Sequence, residues 1–275
     1  MQAKARLSPS GPVKLNINGD DVEVESGTTL LTTLSSQKIF LPSACGGGGT
    51  CGMCKCQVTE GGGEILPTET GFFNRKEIAN NWRLGCQIKV KNDMTVKVPE
   101  EIFGIKKWEC EVVSNYNVAS FIKEFVVRLP EGENLDFEAG GYIQIDVPST
   151  TVDFKNIDIT SHPKLGKAPD EFKEEWDKFK LWDLKMVNPE PLFRAYSMAN
   201  HHAEGNIVML NIRIATPPFD RKIGGWMDVN PGVCSSYVFD QKPGDKVTIS
   251  GPYGEFFIKE TDSEMLYIGG GAGMA

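Results

Sequence analysis

Four of the seven cysteines lie within twelve residues of one another, and a run of glycines separates the first two. Five residues separate Cys45 from Cys51, two separate Cys51 from Cys54, and 31 separate Cys54 from Cys86. Two tetrahedral irons need four soft thiolate ligands. A short Cys-x2-Cys knuckle with one distant cysteine is typical of plant-type [2Fe–2S] sites, although four residues separate the first two cysteines in those sites. The sequence therefore predicts such a cluster on these four residues, with Cys86 supplied by a strand.

The glycines of this segment have a physical role. Gly46–Gly49 and Gly52 admit positive φ, so the loop can wrap tightly and turn its N–H groups toward sulfur. A zinc site or a set of buried free thiols is the alternative, but zinc usually takes two short knuckles or adds histidines. We expect Cys56 to be a packed thiol, and we assign neither Cys110 nor Cys234 to the cluster.

Composition limits the class of protein. A chain of 275 residues has room for about two domains. The net charge of −8 argues against a nucleic-acid partner. An odd number of cysteines, most of them clustered, favours a protein of a reducing compartment over a secreted disulfide scaffold. We see no signal peptide and no apolar run long enough to span a membrane. The chain ends in an apolar strand and a glycine-rich turn, so we expect a sequence truncated at its C-terminus.

The first third alternates between strand and helix patterns. We expect a tail over residues 1–10 and an α+β ferredoxin-type domain of the β-grasp kind over 11–101. Its predicted elements are a hairpin over 13–24, helices over 28–39 and 71–80, and strands over 55–59, 84–90 and 95–98.

The pattern becomes rich in strands after a linker near residues 99–107. We predict a small antiparallel β-barrel over 105–259, with a charged insertion over 150–191. Its predicted strands are 110–113, 122–129, 142–147, 194–198, 207–215 and 246–250, with a helix starting at 234. Within the insertion, 170–185 has aromatic residues at near-helical spacing, for which packing is the favoured interpretation and a partner surface the alternative: Phe172, Trp176, Phe179 and Trp182.

Two short strings indicate a flavin site in this second domain. In the first, Arg194 can neutralise a phosphate, the ring of Tyr196 can cover a flavin, and the hydroxyl of Ser197 can reach a flavin nitrogen. The second is the helix start Gly232–Ser235, whose N–H groups can receive a pyrophosphate. Ordinary helix capping by Ser235 is the alternative for the second string. Their order makes the pair more specific than either alone.

A glycine-rich turn follows the last strand of the sequence. Gly269, Gly270 and Gly271 can approach a dinucleotide phosphate closely, so we interpret 262–275 as the start of an α/β NAD-binding domain. The adjacent His201 and His202 suggest metal, but a solvated loop is the favoured interpretation because no ligand pattern accompanies them.

Together these strings resemble the ferredoxin–FAD–NAD reductases. Longer ones resemble the F subunits of Na⁺-translocating NADH:quinone oxidoreductases, and they begin at Ser43, Phe193, Asn211 and Gly251. The resemblance implies that Arg194, Tyr196, Ser197 and the turn containing Gly232, Val233, Cys234 and Ser235 hold FAD, with Arg213 as a further contact. It also implies NADH oxidation, with electrons passing through the cluster toward quinone.

The resemblance further implies a place in a complex. The partners would be the other membrane subunits, and the location the cytoplasmic side of a bacterial inner membrane, although the family's anchor helix is not in this sequence. Most of the nicotinamide domain is also missing, so we expect this chain to hold FAD and cluster but to bind NADH poorly. The alternatives are a reductase component of a soluble multicomponent oxygenase and a non-enzymatic electron carrier.

Overall fold

Residues 11–254 and 257–268 are described by a computed structural model of the chain. The chain divides into two units, Met1–Lys106 and Lys107–Ala275.

The predicted hairpin opens the first unit. Strand β1 (Pro12–Ile17) pairs antiparallel with β2 (Asp20–Glu25). Asn18 and Gly19 form the turn with φ of 51° and 104°, which asparagine and glycine tolerate best. The hairpin predicted from alternation is therefore confirmed.

The rest of the first unit completes a mixed sheet under one helix. The elements are α1 (Leu30–Ser36), β3 (Lys55–Glu60), α2 (Arg75–Ala79), β4 (Trp82–Leu84), β5 (Met94–Lys97) and 3₁₀ turns at Thr70–Phe72 and Glu100–Gly104. The strand order is β2-β1-β5-β3-β4, in which β1 and β5 are parallel. Helix α1 buries Leu30, Leu31 and Leu34. This is the expected α+β arrangement.

Two predictions in this unit need correction. The helix expected over 71–80 is interrupted, because Asn74 is extended and starts α2 by a capping box with Glu77. Cys86 does not come from a strand: β4 ends at Leu84, and residues 85–87 form a turn. The reason is that the Gln87 N–H donates back to the Leu84 carbonyl at 2.9 Å, which closes a turn, while the Gly85 carbonyl accepts the Leu31 N–H at 2.9 Å. Alternation alone cannot distinguish such a turn from a strand.

The second unit is built on one six-stranded sheet. Its strands are β6 (Lys106–Ala119), β7 (Ile122–Arg128), β8 (Tyr142–Val147), β11 (Leu192–Ser197), β12 (Ile207–Arg213) and β15 (Lys246–Tyr253), in the order β11-β8-β15-β6-β7-β12. Ladders β11–β8, β15–β8, β6–β7 and β7–β12 are antiparallel. The antiparallel character is confirmed, but the described strands form an open sheet rather than a closed barrel. Edge strands β11 and β12 approach each other where the Ala199 N–H donates to the Met209 carbonyl at 2.8 Å.

The remaining elements of this unit are short. They are β9 (Thr150–Asp153), α3 (Lys173–Lys178), β10 (Lys185–Asn188), β13 (Phe219–Asp220), β14 (Gly225–Trp226), α4 (Val233–Asp240) and 3₁₀ turns at Phe154–Asn156, Pro163–Leu165, Leu181–Asp183 and His202–Glu204. β9 and β10 pair antiparallel, as do β13 and β14.

The charged segment 150–191 is part of the core of this unit. The helix expected over 170–185 is only α3 and a 3₁₀ turn, because Lys180 is left-handed (φ 54°) between them. Trp176 is fully buried and donates its indole N–H to the Ser120 carbonyl at 2.7 Å. Phe172 is also buried. Phe179 and Trp182 are partly buried and pack against the same core, so the packing role expected for these aromatic residues is seen for all four.

None of the helices within 11–254 and 257–268 has the length and apolarity to cross a membrane.

Candidate cofactor sites

The glycine loop of the first unit is anchored by a buried serine. Ser43 is fully buried, and its hydroxyl accepts the N–H of Gly47 at 2.9 Å. Gly52 is left-handed (φ 71°), and a Cβ there would lie 2.4 Å from the ring of Phe72. Only glycine therefore allows this ring to close over the knuckle.

The four candidate thiols meet in two pairs. The first pair is Cys45 and Cys51, whose sulfurs lie 3.3 Å apart. Burial opposes ionisation of Cys45, but the N–H groups of Thr50 and Cys51 and the thiol of Cys51 outweigh it and lower its pKa to about 6. The loop therefore presents N–H donors to this sulfur and favours a thiolate.

The second pair is Cys54 and Cys86. The thiol of Cys54 donates to the sulfur of Cys86, which raises the pKa of Cys54 and lowers that of Cys86 to about 6. The side-chain amide of Gln87 and the backbone N–H of Gly49 also donate to Cys86. The turn after β4 thus delivers Cys86 to the knuckle across the domain.

This donor set fits a two-iron cluster. In a [2Fe–2S] cluster two thiolates ligate each iron, so four cysteines gathered two and two match the ligand set. Within the described residues, no three or more histidine, cysteine or carboxylate side chains surround one point as the ligands of a single ion would. The pairing of the sulfurs two and two favours the cluster over a zinc site, which takes four ligands around one metal.

Cys56 behaves as a packed thiol. Its side chain is fully buried, and its sulfur lies 4.0 Å from the Arg83 carbonyl oxygen. Burial raises the pKa of this thiol to about 12.

A buried ion pair that the sequence analysis missed braces this domain. Arg83 and Glu69 are 5% and 0% exposed, and the guanidinium donates to the carboxylate through Nε and, at 2.7 Å, through Nη2. The same carboxylate accepts the N–H groups of Leu84 (2.8 Å) and Leu66 (2.9 Å). It thus ties the strand that leads to Cys86 to the segment before α2. Nothing in the local sequence signals it, because the two residues are fourteen positions apart.

The two flavin strings meet in the second unit. Arg194 and Tyr196 lie on β11 two residues apart, and Cys234 is the second residue of α4. Tyr196 donates its hydroxyl to the sulfur of Cys234, and burial, reinforced by Cys234, raises the pKa of Tyr196. Burial raises the pKa of Cys234 to about 12, while Tyr196 and Arg194 act in the opposite direction. The structure therefore brings Arg194, Tyr196 and Cys234 together.

Hydrogen bonds to Ala215, which lies shortly after β12 in the chain, hold the start of α4. Gly232 donates to the Ala215 carbonyl at 2.7 Å, and the Ser235 hydroxyl accepts the Ala215 N–H at 3.1 Å. Among the described residues, no side chain at the N-cap position caps this helix, so Ser235 is not its N-cap. A Cβ on Gly232 would lie 2.5 Å from that of Ala215. The first turn, which includes Val233, therefore has no N-cap side chain on its N–H groups, and such groups at a helix start can receive an anion.

Arg213 and Ser197 are placed differently from that group. Arg213 ends β12 and lines a cavity of about 410 Å³ together with aromatic residues and Arg221. Ser197 is exposed at the end of β11 and faces away from Tyr196 by strand alternation.

Gly269, Gly270 and Gly271 lie outside the described residues. His201 and His202 are exposed, and His201 caps a 3₁₀ turn through its Nδ1, as expected of a solvated loop.

Comparison with known proteins agrees with this two-part architecture. The family model of the 2Fe-2S iron-sulfur cluster binding domain matches residues 15–91, and that of the oxidoreductase FAD-binding domain matches 178–258. A ferredoxin reductase in carbazole 1,9a-dioxygenase shares the fold, with a TM-score of 0.51 and 24% identity over 96% of this chain and 68% of that one. The chain is thus an iron–sulfur flavoprotein that carries a [2Fe–2S] cluster domain and an FAD domain.

The relatives narrow this class. The F subunit of the Na(+)-translocating NADH-quinone reductase from Marinomonas sp. (strain MWYL1) is 52% identical over the whole chain, and its counterpart from Actinobacillus pleuropneumoniae serotype 5b is 54% identical over 99% of it. The chain is thus similar to these F subunits over 99–100% of its own length. It spans 64% of the length of these relatives.

Proposed function

We propose that this chain works as the F subunit of a Na⁺-translocating NADH:quinone oxidoreductase, taking electrons from NADH through FAD and a [2Fe–2S] cluster toward quinone. The observation that carries the proposal is the two-and-two pairing of four cysteines in a chain whose second unit is an FAD-binding domain. NADH gives up two electrons together, and a bound flavin can receive them as a pair and release them singly to a one-electron cluster.

The cysteines have the ligand roles in this proposal. Cys45 and Cys51 hold one iron, and Cys54 and Cys86 hold the other. The sulfurs of Cys45 and Cys51 lie 3.3 Å apart, and the N–H groups that the surrounding chain donates to Cys45 and Cys86 would stabilise these two as thiolates, the form that binds iron.

Different residues bind different parts of FAD in this proposal. Arg194 neutralises a phosphate of FAD, and the first turn of α4, from Gly232 through Val233 and Cys234 to Ser235, receives the pyrophosphate. The ring of Tyr196, whose hydroxyl is fixed by Cys234, covers the flavin. Ser197 and Arg213 are further contacts in this proposal.

Binding of NADH is assigned to the turn containing Gly269, Gly270 and Gly271, which would approach the pyrophosphate of the dinucleotide. The partners in this proposal are the other subunits of the reductase complex. Similarity to the F subunits supports both assignments. The location proposed is the cytoplasmic side of a bacterial inner membrane.

The test begins with spectra and FAD content of the purified chain. We expect a flavin absorption band and, after dithionite reduction, a rhombic [2Fe–2S] EPR signal. Arg194→Ala should weaken FAD binding about ten- to hundredfold, because a hydrogen bond to a charged group contributes about 1.5–3 kcal/mol. Arg128→Ala is the matched control, since Arg128 ends a strand of the same sheet and is exposed.

Two outcomes would contradict the proposal. A colourless chain that binds zinc and no iron would remove the cluster, and FAD content unchanged in Arg194→Ala would remove the flavin assignment. Co-purification with membrane subunits and sodium-dependent quinone reduction separate this function from that of an oxygenase reductase.

A further inference from the structure

The side chain of Gln87 reaches back to the neighbouring cysteine. Its Nε2 lies 3.5 Å from the sulfur of Cys86, and its Oε1 accepts the hydroxyl of Thr68 at 3.0 Å. A thiolate only accepts hydrogen bonds, so the NH₂ end of the amide must face the sulfur and the carbonyl end must face the hydroxyl. The sulfur thus sets the orientation in which Gln87 is a donor, and the hydroxyl of Thr68 holds the other end of the amide.

The glycine loop leaves room for this amide. Gly49 is left-handed (φ 74°), and a Cβ there would lie 2.4 Å from Nε2 and 2.9 Å from Cδ of Gln87. The backbone N–H of Gly49 donates to the same sulfur. Cys86 therefore receives one N–H from the loop and one from Gln87, and any side chain at Gly49 would displace the second.

These donors act differently on the two oxidation states of a cluster. The reduced cluster carries one more negative charge than the oxidised one, and hydrogen bonds to its sulfurs raise the reduction potential. A donor stabilises the reduced state more, because a hydrogen bond strengthens with the charge on its acceptor.

We propose that Gln87 raises the reduction potential of the cluster by donating its amide N–H to Cys86, and that Thr68 and Gly49 hold it in place. This inference rests on the proposed cluster site. It assigns to Gln87 a tuning role distinct from that of the four ligands.

The test is an EPR-monitored redox titration of the full chain. In Gln87→Leu we expect about a tenfold lower ratio of reduced to oxidised cluster at a fixed potential, which is ~59 mV for a one-electron couple. Gln87→Glu has the same size but no N–H, and it should lower the ratio at least as much. Thr68→Val should lower it less, in the same direction.

Controls separate tuning from loss of the domain. Gln37→Leu changes a partly buried glutamine of the same unit whose amide contacts Ser36 at 3.5 Å, and it should leave the midpoint unchanged. If Gln87→Leu fails to hold a cluster, Gln87→Glu and Thr68→Val decide the question. Full-intensity signals with the wild-type midpoint in these variants would overturn the role of Gln87 and leave the cluster intact. A wild-type chain without a [2Fe–2S] signal would instead overturn the cluster site itself.

Discussion

Breaking the buried pair of Glu69 and Arg83 should destabilise the first unit more than any change to its surface charges. In Glu69→Gln the guanidinium of Arg83 keeps the carbonyls of Gly62 (2.6 Å) and Gly63 (3.0 Å) as acceptors for its Nη1, but it loses the carboxylate. The new NH₂ group also faces one of the N–H groups that the carboxylate accepted, from Leu66 or Leu84. The buried positive charge of Arg83 is then left without a counter-charge, and the amide NH₂ at position 69 faces a backbone N–H, so that two donors meet without an acceptor.

The magnitude follows from the burial of both partners. Removing one member of a buried pair costs about 3–5 kcal/mol, a large part of the stability of a small domain. With a slope of about 2 kcal/mol/M in urea, the unfolding midpoint should fall by about 1.5–2.5 M. Arg83→Lys keeps the charge but loses the planar fork, so it should fall between wild type and Glu69→Gln.

The assay is urea unfolding of the full chain, followed by loss of visible absorbance from the cluster. Asp21→Asn is the control, because Asp21 pairs with Lys14 on the surface, where their side chains are 48% and 60% exposed. Such pairs contribute little, so its midpoint should match wild type. Glu69→Gln with the wild-type midpoint would refute the reasoning, since the carboxylate would then contribute nothing measurable.

Three further outcomes are expected. Cys45→Ser should abolish the [2Fe–2S] EPR signal, whereas Cys56→Ser should retain it because that thiol is packed and protonated; the reverse result would reassign the ligands. Gly232→Ala should reduce FAD retention and leave the EPR signal intact, since its Cβ would meet that of Ala215 at 2.5 Å; an unchanged FAD content would show that the helix start does not bind FAD. Burial lowers the pKa of Lys123 from 10.5 to about 8, so the unfolded state binds more protons between these values, and the stability of wild type relative to Lys123→Met should rise as pH increases from 8 to 10.5. A pH-independent difference in urea midpoints would contradict that last prediction.

Local patterns in the sequence were sufficient to predict most of the helices and strands. The hairpin around Asn18 and Gly19 could be predicted because a period of two and a turn dipeptide act over neighbouring residues. The turn at Cys86 could not, because it depends on the bond of the Gly85 carbonyl to the Leu31 N–H, which is distant in the chain. Leu84, Cys86 and Ile88 are all buried, as the alternating pattern predicts, but Gly85 is buried as well, and the hydrogen bonds show a turn in place of a strand.

The site residues show the same division. The cysteine spacing and the two flavin strings are short-range signals, so their members could be named from the sequence. Gln87, Glu69 and Ala215 carry no such signal, since each acts through a partner brought to it by the fold. The contact between Tyr196 and Cys234 joins two strings that are 38 positions apart, and it gives their order in the sequence a physical meaning.

The electrostatics around Cys86 explain why an amide can matter there. The nearest charged residue before it in the chain is Arg83, but its guanidinium is matched by Glu69, and the two act on Cys56 in opposite directions. The pair therefore adds structure close to the candidate cluster with little net charge. What remains to respond to an added electron at this sulfur is a set of N–H dipoles from Gly49 and Gln87. Of these, the backbone N–H is fixed by the loop, and only the amide of Gln87 can be changed by substitution without altering the path of the chain.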